Sequence, residues 1–247
     1  MANYDGAFFD YVNQGAIRSA NRVLPLLLKE LDIDSVLDVG CGQGAWLSVW
    51  QQLGVPHVTG IDGHYVDRNH LQIADTSFIP HNLSEEFDLG RRFDLVQSLE
   101  VAEHLPADSA EGFVRGLVKH GELILFSAAP KGQGGDHHIN EQDYQYWRDL
   151  FAVHGYMAVD YLRPLILDDG AIEPWYRYNT FLYATPARFA ALPDAIRRCR
   201  VQDDEPLRDL SPLIYKMRKR LVSLLPVRVM TGLAKIKERH VARSGKQ

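Results

Sequence analysis

The sequence predicts an α/β protein with a doubly wound, mostly parallel sheet and an α-helical C-terminal tail. Short apolar runs alternate along the chain with segments of helical periodicity, which is typical of parallel strands joined by crossover helices. A glycine-rich turn, Gly40-Cys41-Gly42-Gln43-Gly44, follows the first clear apolar run. Open α/β sheets bind their ligands at this position, beyond the carboxyl end of a strand.

Length and composition limit the class of protein further. The 247 residues, 46% of them hydrophobic, can bury one α/β core with a small appendage. The net charge of -5 gives no overall attraction for nucleic acid, so no stable nucleic-acid complex is expected. Cys41 and Cys199 form no CxxC pair, which argues against a cysteine zinc site. Without a signal-peptide pattern or an apolar run of roughly 20 residues, the expected location is cytoplasmic.

The elements are predicted from the apolar spacing. Apolar residues at helical spacing predict an amphipathic helix over residues 16–31, and a short apolar run predicts a buried first strand at 35–39. The predicted elements that follow are a helix at 45–53, strands at 57–61, 77–81 and 93–98, a helix at 107–119 and a strand at 121–127.

The last part of the chain continues the pattern and then changes in composition. A helix is predicted at 141–154, followed by two apolar-rich runs at 156–162 and 178–185 that a loop separates. A domain boundary near Phe189 separates residues 1–189 from a basic tail over 190–247, which carries 14 Lys or Arg against six acids.

Two carboxylates accompany the glycine turn. Asp38 stands directly before it, and Asp62 ends the second strand about 20 residues later, where it can accept both hydroxyls of a ribose. Residues 36–44, Val-Leu-Asp-Val-Gly-Cys-Gly-Gln-Gly, resemble motif I of class I S-adenosylmethionine-dependent methyltransferases. Gly60-Ile61-Asp62 resembles motif II of the same family.

This resemblance implies a seven-stranded Rossmann-like sheet that binds S-adenosylmethionine and is closed by a hairpin-like pair of strands, formed by the runs at 156–162 and 178–185. It places Asp38 near the methionine amino group of the cofactor. Family members often carry an Asp-Leu pair after the third strand, whereas this chain has Asn82-Leu83, whose amide carbonyl can still accept a hydrogen bond from adenine. The implied cofactor residues are Asp38, Gly40, Gly42, Gly44, Asp62, Asn82 and Leu83.

A candidate metal site follows the fourth strand. Glu100, Glu103 and His104 are spaced i, i+3 and i+4, so a helical turn would place them on one face. The pattern resembles ubiquinone-biosynthesis O-methyltransferases and enzymes that methylate the terminal 2′-hydroxyl of small RNAs, in which these residues hold a divalent cation. By the same resemblance His138, after the fifth strand, completes the site. Magnesium, manganese or a harder transition ion would suit these ligands.

The chemistry leaves alternatives open. A metal would lower the pKa of an acceptor hydroxyl and align its oxygen with the sulfonium methyl. His104, His137 or His138 could instead act as catalytic residues without a metal, with His137 or His138 as general base, or the segment could be structural. The favoured reaction is O-methylation of a small or medium acceptor, such as a glycan or a lipid-linked molecule. Metal-free N-methylation and a non-catalytic cofactor-binding subunit are the alternatives.

Two further regions have predicted roles. Aromatic residues that would wall the acceptor pocket are Tyr4, Phe8, Phe9, Tyr11, Trp175, Tyr176 and Tyr178. Residues 212–239 interleave apolar and basic residues, which predicts an amphipathic helix pair broken at Pro226. This tail could pack on the domain or a second subunit, lie on an anionic membrane, or hold RNA.

Overall fold

The computed structural model describes residues 6–223, with side chains from Asn13 onward. Its sheet strands are β1 Ser35–Val39, β2 His57–Asp62, β3 Phe78–Pro80, β4 Leu95–Leu99, β5 Leu123–Ser127, β6 Met157–Val159 and β7 Phe181–Ala184. Its α-helices are α1 Gly6–Leu28, α2 Ala45–Gln52, α3 Ala110–His120, α4 Tyr144–Val153, α5 Leu162–Ile166, α6 Pro174–Asn179, α7 Pro186–Ala190, α8 Asp194–Arg197 and α9 Leu213–Val222. Short 3-10 turns form at Arg68–His70, Asp75–Ser77, Ala102–His104 and Ala107–Ser109.

The seven strands form one sheet in the order β3-β2-β1-β4-β5-β7-β6. Strands β1 to β5 pair in parallel, and β7 runs antiparallel between β5 and β6. The predicted doubly wound sheet, closed by an antiparallel pair, is therefore confirmed. The strand order reverses between β1 and β4, and ligands of open α/β sheets bind beyond the carboxyl ends of the strands at such a point.

Two hydrophobic cores cover the faces of the sheet. Neighbouring residues of β1 point to opposite faces, so Val36 belongs to one core and Leu37 to the other. Trp50 of α2 is fully buried in the first core, and its indole N–H donates to the side-chain amide oxygen of Gln97 over 2.8 Å. This bond ties α2 to β4 underneath the site described below.

Two segments differ from the sequence prediction. The expected loop around Trp175 and Tyr176 is a helix, α6, with Pro174 in its first turn, where the missing amide hydrogen costs nothing. The expected strand over 156–162 ends at Val159, because Leu162 begins α5. The second segment is a short apolar run, whose type sequence alone cannot assign.

Residues beyond α7 contact the sheet domain. Val159 forms an isolated antiparallel bridge with Arg200, and the Arg148 guanidinium donates to the Val201 carbonyl over 3.3 Å. Arg163 likewise donates to the Arg208 carbonyl over 2.9 Å. The domain boundary near Phe189 stays a prediction.

The tail and the N-terminal aromatic segment are described only in part. Helix α9 is the first helix of the predicted pair, whereas Pro226 and the second helix lie outside the described residues. The side chains of Tyr4, Phe8, Phe9 and Tyr11 also lie outside them. Within residues 6–223, none of the helices is long and apolar enough to cross a bilayer.

Candidate functional site

The glycine turn after β1 adopts a backbone that favours glycine. Gly40, Gly42 and Gly44 have φ values of +89°, +54° and +84°, in the left-handed region that side chains disfavour. A Cβ at Gly40 would lie 2.3 Å from Cγ2 of Val101, whereas a Cβ at Gly42 would meet nothing within 4 Å. The turn is therefore packed from below at Gly40 and open at Gly42, where a ligand can approach the backbone.

Asp62, at the end of β2, is bound to that turn. Its carboxylate accepts hydrogen bonds of 2.6 Å from the amides of Gly42 and Gly63 and from the Tyr65 hydroxyl. Burial raises the pKa of Asp62, and these three donors oppose the rise. Tyr65 is 74% exposed. A ribose hydroxyl could therefore replace the Tyr65 hydroxyl as a donor to Asp62 without a change in the core.

Asp38 is the second buried carboxylate beside the glycine turn. It lies opposite Gln97 in the register of β1 and β4 and is 3% exposed. Burial raises the pKa of Asp38 to about 7, and the nearby charge of Asp62 adds to the rise. A carboxylate in this position gains from a cationic partner, such as the ammonium group of a bound amino acid.

The Asn82-Leu83 pair lies in a turn after β3. Leu83 is buried, whereas Asn82 is exposed. The Asn82 carbonyl oxygen accepts the Ser84 amide over 3.2 Å, and its NH2 group donates to Glu85 over 2.8 Å. The second lone pair of that oxygen remains able to accept a hydrogen bond from adenine.

The segment after β4 does not form the predicted helical turn. Glu100 has φ +58°, and the 3-10 turn begins only at Ala102. The Glu100 carboxylate consequently accepts hydrogen bonds from the side-chain amides of Gln133 over 2.7 Å and Asn179 over 3.1 Å. The prediction that one helical face carries all three acid and histidine side chains is wrong for Glu100.

Three other side chains converge and are here called the Glu103 cluster. One ligand atom each from Glu103, His104 and His138 lies within 4.8 Å of the others, and the two imidazole centroids are 4.8 Å apart. The amides of Ile139 and Asn140 donate to the Glu103 carbonyl over 3.0 and 2.9 Å. These backbone bonds bring the segment after β5 against the segment after β4.

His137 lies beside the cluster but does not belong to it. Its backbone has φ +56°, and its Nε2 lies 3.6 Å from the Asp136 carboxylate. About half of its side chain is exposed. The structure thus brings together His104 and His138 but not His137.

The Glu103 carboxylate is fully buried. The backbone amides of Ala129 and of Glu103 itself lie near it, but neither carboxylate oxygen forms a hydrogen bond of normal geometry within the described part of the chain. Burial raises the pKa of Glu103 well above its usual range, and the negative charge of Glu100 adds to this. A carboxylate in such surroundings is either protonated or compensated by a cation.

The two histidines of the cluster are oriented by their Nδ1 atoms. Nδ1 of His138 lies 2.8 Å from the Glu141 carboxylate, and Nδ1 of His104 lies 3.2 Å from the His137 carbonyl oxygen. Nε2 of each ring is left for a ligand or a proton. Desolvation lowers the pKa of His104 to about 4, with His138 contributing, so the ring is neutral near pH 7 although its edge is exposed.

The sequence did not single out several residues of this site. Glu141 accepts the amides of Gly132 over 2.8 Å and Gly134 over 2.7 Å in addition to binding His138. Gln133 and Asn179, which hold Glu100, also bond to each other over 2.8 Å. Glu141 follows His138 by three residues, a spacing that could have suggested the pair, whereas the Asn179 contact joins residues too distant in sequence to be foreseen.

Residues 11–161 match the family model described as a methyltransferase domain. The chain belongs to this methyltransferase family. Together with the class I sheet and its glycine turn, the match makes the protein an S-adenosylmethionine-dependent methyltransferase. No curated protein matches it significantly.

Solved methyltransferase structures share the fold at low sequence identity. The sugar N-methyltransferase KedS8 of Streptoalloteichus is 16% identical with a TM-score of 0.58, and the match covers 75% of this chain and 94% of KedS8. The methyltransferase domain of bacterial CtHen1-C is 18% identical with a TM-score of 0.52, covering 69% and 98%. Magnesium protoporphyrin IX methyltransferase from Synechocystis, solved with S-adenosylmethionine bound, is 18% identical with a TM-score of 0.53, covering 75% and 86%.

The glycine turn contacts the segment that carries the Glu103 cluster. Strands β1 and β4 are neighbours in the sheet, and Val101, between Glu100 and the 3-10 turn, fills the space beneath Gly40. The glycine turn and the Glu103 cluster therefore lie side by side at the carboxyl ends of adjacent strands. A methyl donor on the turn would have the cluster next to it.

Proposed function

We propose that this methyltransferase moves the methyl group of S-adenosylmethionine to a hydroxyl oxygen of a small or medium acceptor, a saccharide or another secondary metabolite, with the help of a divalent metal. The observation that carries this proposal is the Glu103 carboxylate, buried and without a hydrogen bond in the described residues, beside two imidazoles. A bound cation would compensate its charge.

Asp38, the glycine turn over residues 40–44, Asp62 and the turn at Asn82 are here called the cofactor edge, and they fit S-adenosylmethionine as the methyl donor. When bound, S-adenosylmethionine supplies an electrophilic methyl group on a sulfonium. Asp38 would pair with the ammonium of its methionine part, Asp62 would accept its ribose hydroxyls, and the open backbone at Gly42 would leave room for it. The resemblance adds Asn82 and Leu83 as contacts for adenine.

The donor set of the Glu103 cluster favours particular ions. Glu103 offers oxygen, and His104 and His138 each offer Nε2. Two imidazoles and one carboxylate suit a transition ion better than magnesium, which prefers oxygen ligands. When bound, such an ion would lower the pKa of an acceptor hydroxyl. The turn of Glu100 toward Asn179 removes one of the predicted carboxylate ligands and shifts the preference in this direction.

The remaining residues position the acceptor side. Glu141 fixes the His138 ring through Nδ1 and holds the loop over residues 132–134 through two backbone amides. Gln133 and Asn179 keep Glu100 in place beside the cluster.

Tyr176 is buried and packs edge-on against Trp46 with ring centroids 5.0 Å apart, so α6 provides an aromatic wall near the cofactor edge. These contacts would exclude water and orient the acceptor oxygen.

Metal-free N-methylation is the second candidate. His138, whose ring Glu141 orients through Nδ1 over 2.8 Å, would be the base that accepts a proton from an ammonium acceptor without any ion. The shared fold with the sugar N-methyltransferase KedS8 is compatible with that reaction.

Calorimetry with paired variants tests the metal proposal. S-adenosylhomocysteine is first titrated into metal-free protein, and manganese is then titrated into the cofactor-loaded wild type, Glu103→Gln and Glu100→Gln. We expect manganese affinity to fall by about 100-fold or more in Glu103→Gln and to change little in Glu100→Gln. Absence of an ion signal in the wild type, or equal losses in both variants, would contradict the proposed cluster.

An acceptor panel separates the two reactions. Methyl transfer to hydroxyl sugars that depends on added ion, and is lost in Glu103→Gln, would support O-methylation. Transfer to amino sugars in the presence of a chelator would instead select the N-methyltransferase alternative.

A further inference from the structure

Helix α9 presents an apolar stripe to solvent. Leu213, Ile214, Met217 and Leu221 are 74%, 78%, 57% and 67% exposed and are four of the nine exposed large hydrophobic residues of the described chain. At the helical repeat they fall within a sector about 100° wide. Exposed apolar residues scattered singly are ordinary, but a contiguous stripe marks an interaction surface.

Cations border the stripe on both sides. Lys216 and Arg220 project from one edge of it and Arg218 from the other, and α9 contains no acidic residue. Within residues 6–223, none of these three forms an ion pair, although Arg218 donates a hydrogen bond to the Gln133 carbonyl over 3.1 Å. An apolar stripe between cations is the pattern of a helix that lies in a membrane interface.

A cavity of about 760 Å³ continues the positive surface on the Lys216 side of α9. Its cationic lining residues are Lys131, Arg208, Lys216, Lys219 and Arg220. Two of them are matched by acids, because Lys131 lies 3.4 Å from Asp143 and Lys219 lies 2.6 Å from Asp209. Three unmatched cations therefore face a space that can hold anionic groups.

The opposite side of α9 is seated on the methyltransferase domain. Lys219 is buried, and its carbonyl oxygen lies so close to Gly132 that a Cβ there would be 2.0 Å from it. Tyr215 packs on Tyr178 with centroids 5.4 Å apart. This seat fixes which face of α9 is presented outward, and it places the helix against the loop that carries Gln133.

The positive charge on both sides of the stripe determines which kind of partner can dock on it. A second copy docking through the same face would bring two sets of cations together. Residues 224–247 carry six Lys or Arg against one acid, so they too would meet like charge on α9. An anionic lipid surface complements both the apolar stripe and its cationic borders.

We propose that α9 docks this methyltransferase on an anionic phospholipid surface. The stripe residues Leu213, Ile214, Met217 and Leu221 enter the interface, while Lys216, Arg218 and Arg220 contact lipid phosphates. Because a helix is about 10 Å across, docking brings the Gln133 loop and the site beneath it close to the lipid headgroups.

Vesicle sedimentation of the full chain tests the proposal. The vesicles are phosphatidylcholine alone and an equimolar mixture with phosphatidylserine. We expect the wild type to bind the mixed vesicles only, and salt to weaken this binding.

Ile214→Ser should reduce affinity for the mixed vesicles by about tenfold or more. Lys216→Gln and Arg220→Gln should each reduce it by about fivefold. Val153→Ser, at a residue of α4 that is 76% exposed, is the matched control and should bind as the wild type does.

Binding of S-adenosylhomocysteine by each variant shows that it is folded. The proposal is overturned if the wild type ignores the mixed vesicles, or if folded Ile214→Ser binds them as tightly as the wild type. It is also overturned if Ile214→Ser dissociates a dimer without changing vesicle binding, which would assign the stripe to a second copy. RNA binding that is lost in Lys216→Gln, without vesicle binding by the wild type, would overturn it in favour of RNA.

Discussion

The cofactor edge and the Glu103 cluster are adjacent, but they are built in different ways. At the cofactor edge, the Asp62 carboxylate is satisfied by Gly42, Gly63 and Tyr65, the last two of which are its near neighbours in sequence. Beside the cluster, Glu100 depends on partners 33 and 79 residues away, and Glu103 has no hydrogen-bonded carboxylate oxygen within the described chain. The Asp62 carboxylate is therefore satisfied without a ligand, whereas the second region depends on long-range contacts and would be completed by the proposed cation.

The largest expected effect tests how tightly the cofactor edge is built. Gly40→Ala should destabilise the ligand-free protein by about 3 kcal/mol, because it combines left-handed strain with a clash against Val101. Gly42→Ala shares the positive φ but meets nothing within 4 Å, so we expect a loss of about 1 kcal/mol. Urea unfolding of the two variants measures the difference.

Equal losses of stability in the two glycine variants would show that Val101 moves aside readily. The cofactor edge would then be as adaptable as the cluster, and the contrast between the two regions would disappear.

The second effect tests the cluster through its two adjacent histidines. His138→Ala should lower ion affinity and methyl transfer by about 100-fold, because it removes a ring that Glu141 holds against Glu103. His137→Ala should change both quantities little, since its ring faces Asp136. Ion titration and initial rates measure the two variants. A larger loss in His137→Ala than in His138→Ala would show that His137, and not His138, binds the ion.

The cofactor edge could be predicted from sequence because its signals are local. Asp38, the glycines and Asp62 belong to two short motifs, and a buried strand followed by glycines defines its own turn. The order of helices and strands was likewise readable from periodicity. The seven-stranded sheet and its closing pair of strands then followed from the resemblance to the family, whereas the strand order is known only from the structure.

The cluster could be predicted only in part. The spacing of Glu100, Glu103 and His104 suggested a helical face, but the left-handed backbone at Glu100 breaks that face. A non-glycine residue with positive φ is held there by tertiary contacts, here the bonds to Gln133 and Asn179, which sequence spacing does not reveal. The choice of His138 over His137 rested on resemblance, whereas the structure separates the two rings by the backbone at His137.

The third effect concerns the pH dependence of cofactor affinity. The ionised Asp38 carboxylate attracts an ammonium group, and its pKa is raised to about 7 by burial. Affinity for S-adenosylhomocysteine should therefore be highest above pH 7 and should fall by about tenfold for each pH unit below it. Calorimetry between pH 5.5 and 8, an interval chosen about the pKa of Asp38, measures the slope.

Asp38→Asn is the control for this pH dependence and should flatten it. The stability of the ligand-free protein should show the opposite sign. Between the ordinary pKa of 3.8 and the raised pKa of about 7, the folded Asp38 binds more protons than the unfolded one. Its contribution to stability therefore decreases as the pH rises through this window. A wild-type affinity that is independent of pH would remove Asp38 from the ammonium contact.

The smallest effect is expected at Asn82, where the cofactor edge meets an exposed turn. Asn82→Ala should weaken cofactor binding by about fivefold, the value of one hydrogen bond between neutral groups. Asn82→Asp keeps the acceptor and should keep the affinity, but its charge would face Glu85, which now accepts the Asn82 amide over 2.8 Å. Unchanged cofactor affinity in Asn82→Ala would mean that the Asn82 side chain stabilises its own turn and does not contact the cofactor. The cofactor edge would then end at Asp62, and adenine would be held by packing rather than by this amide.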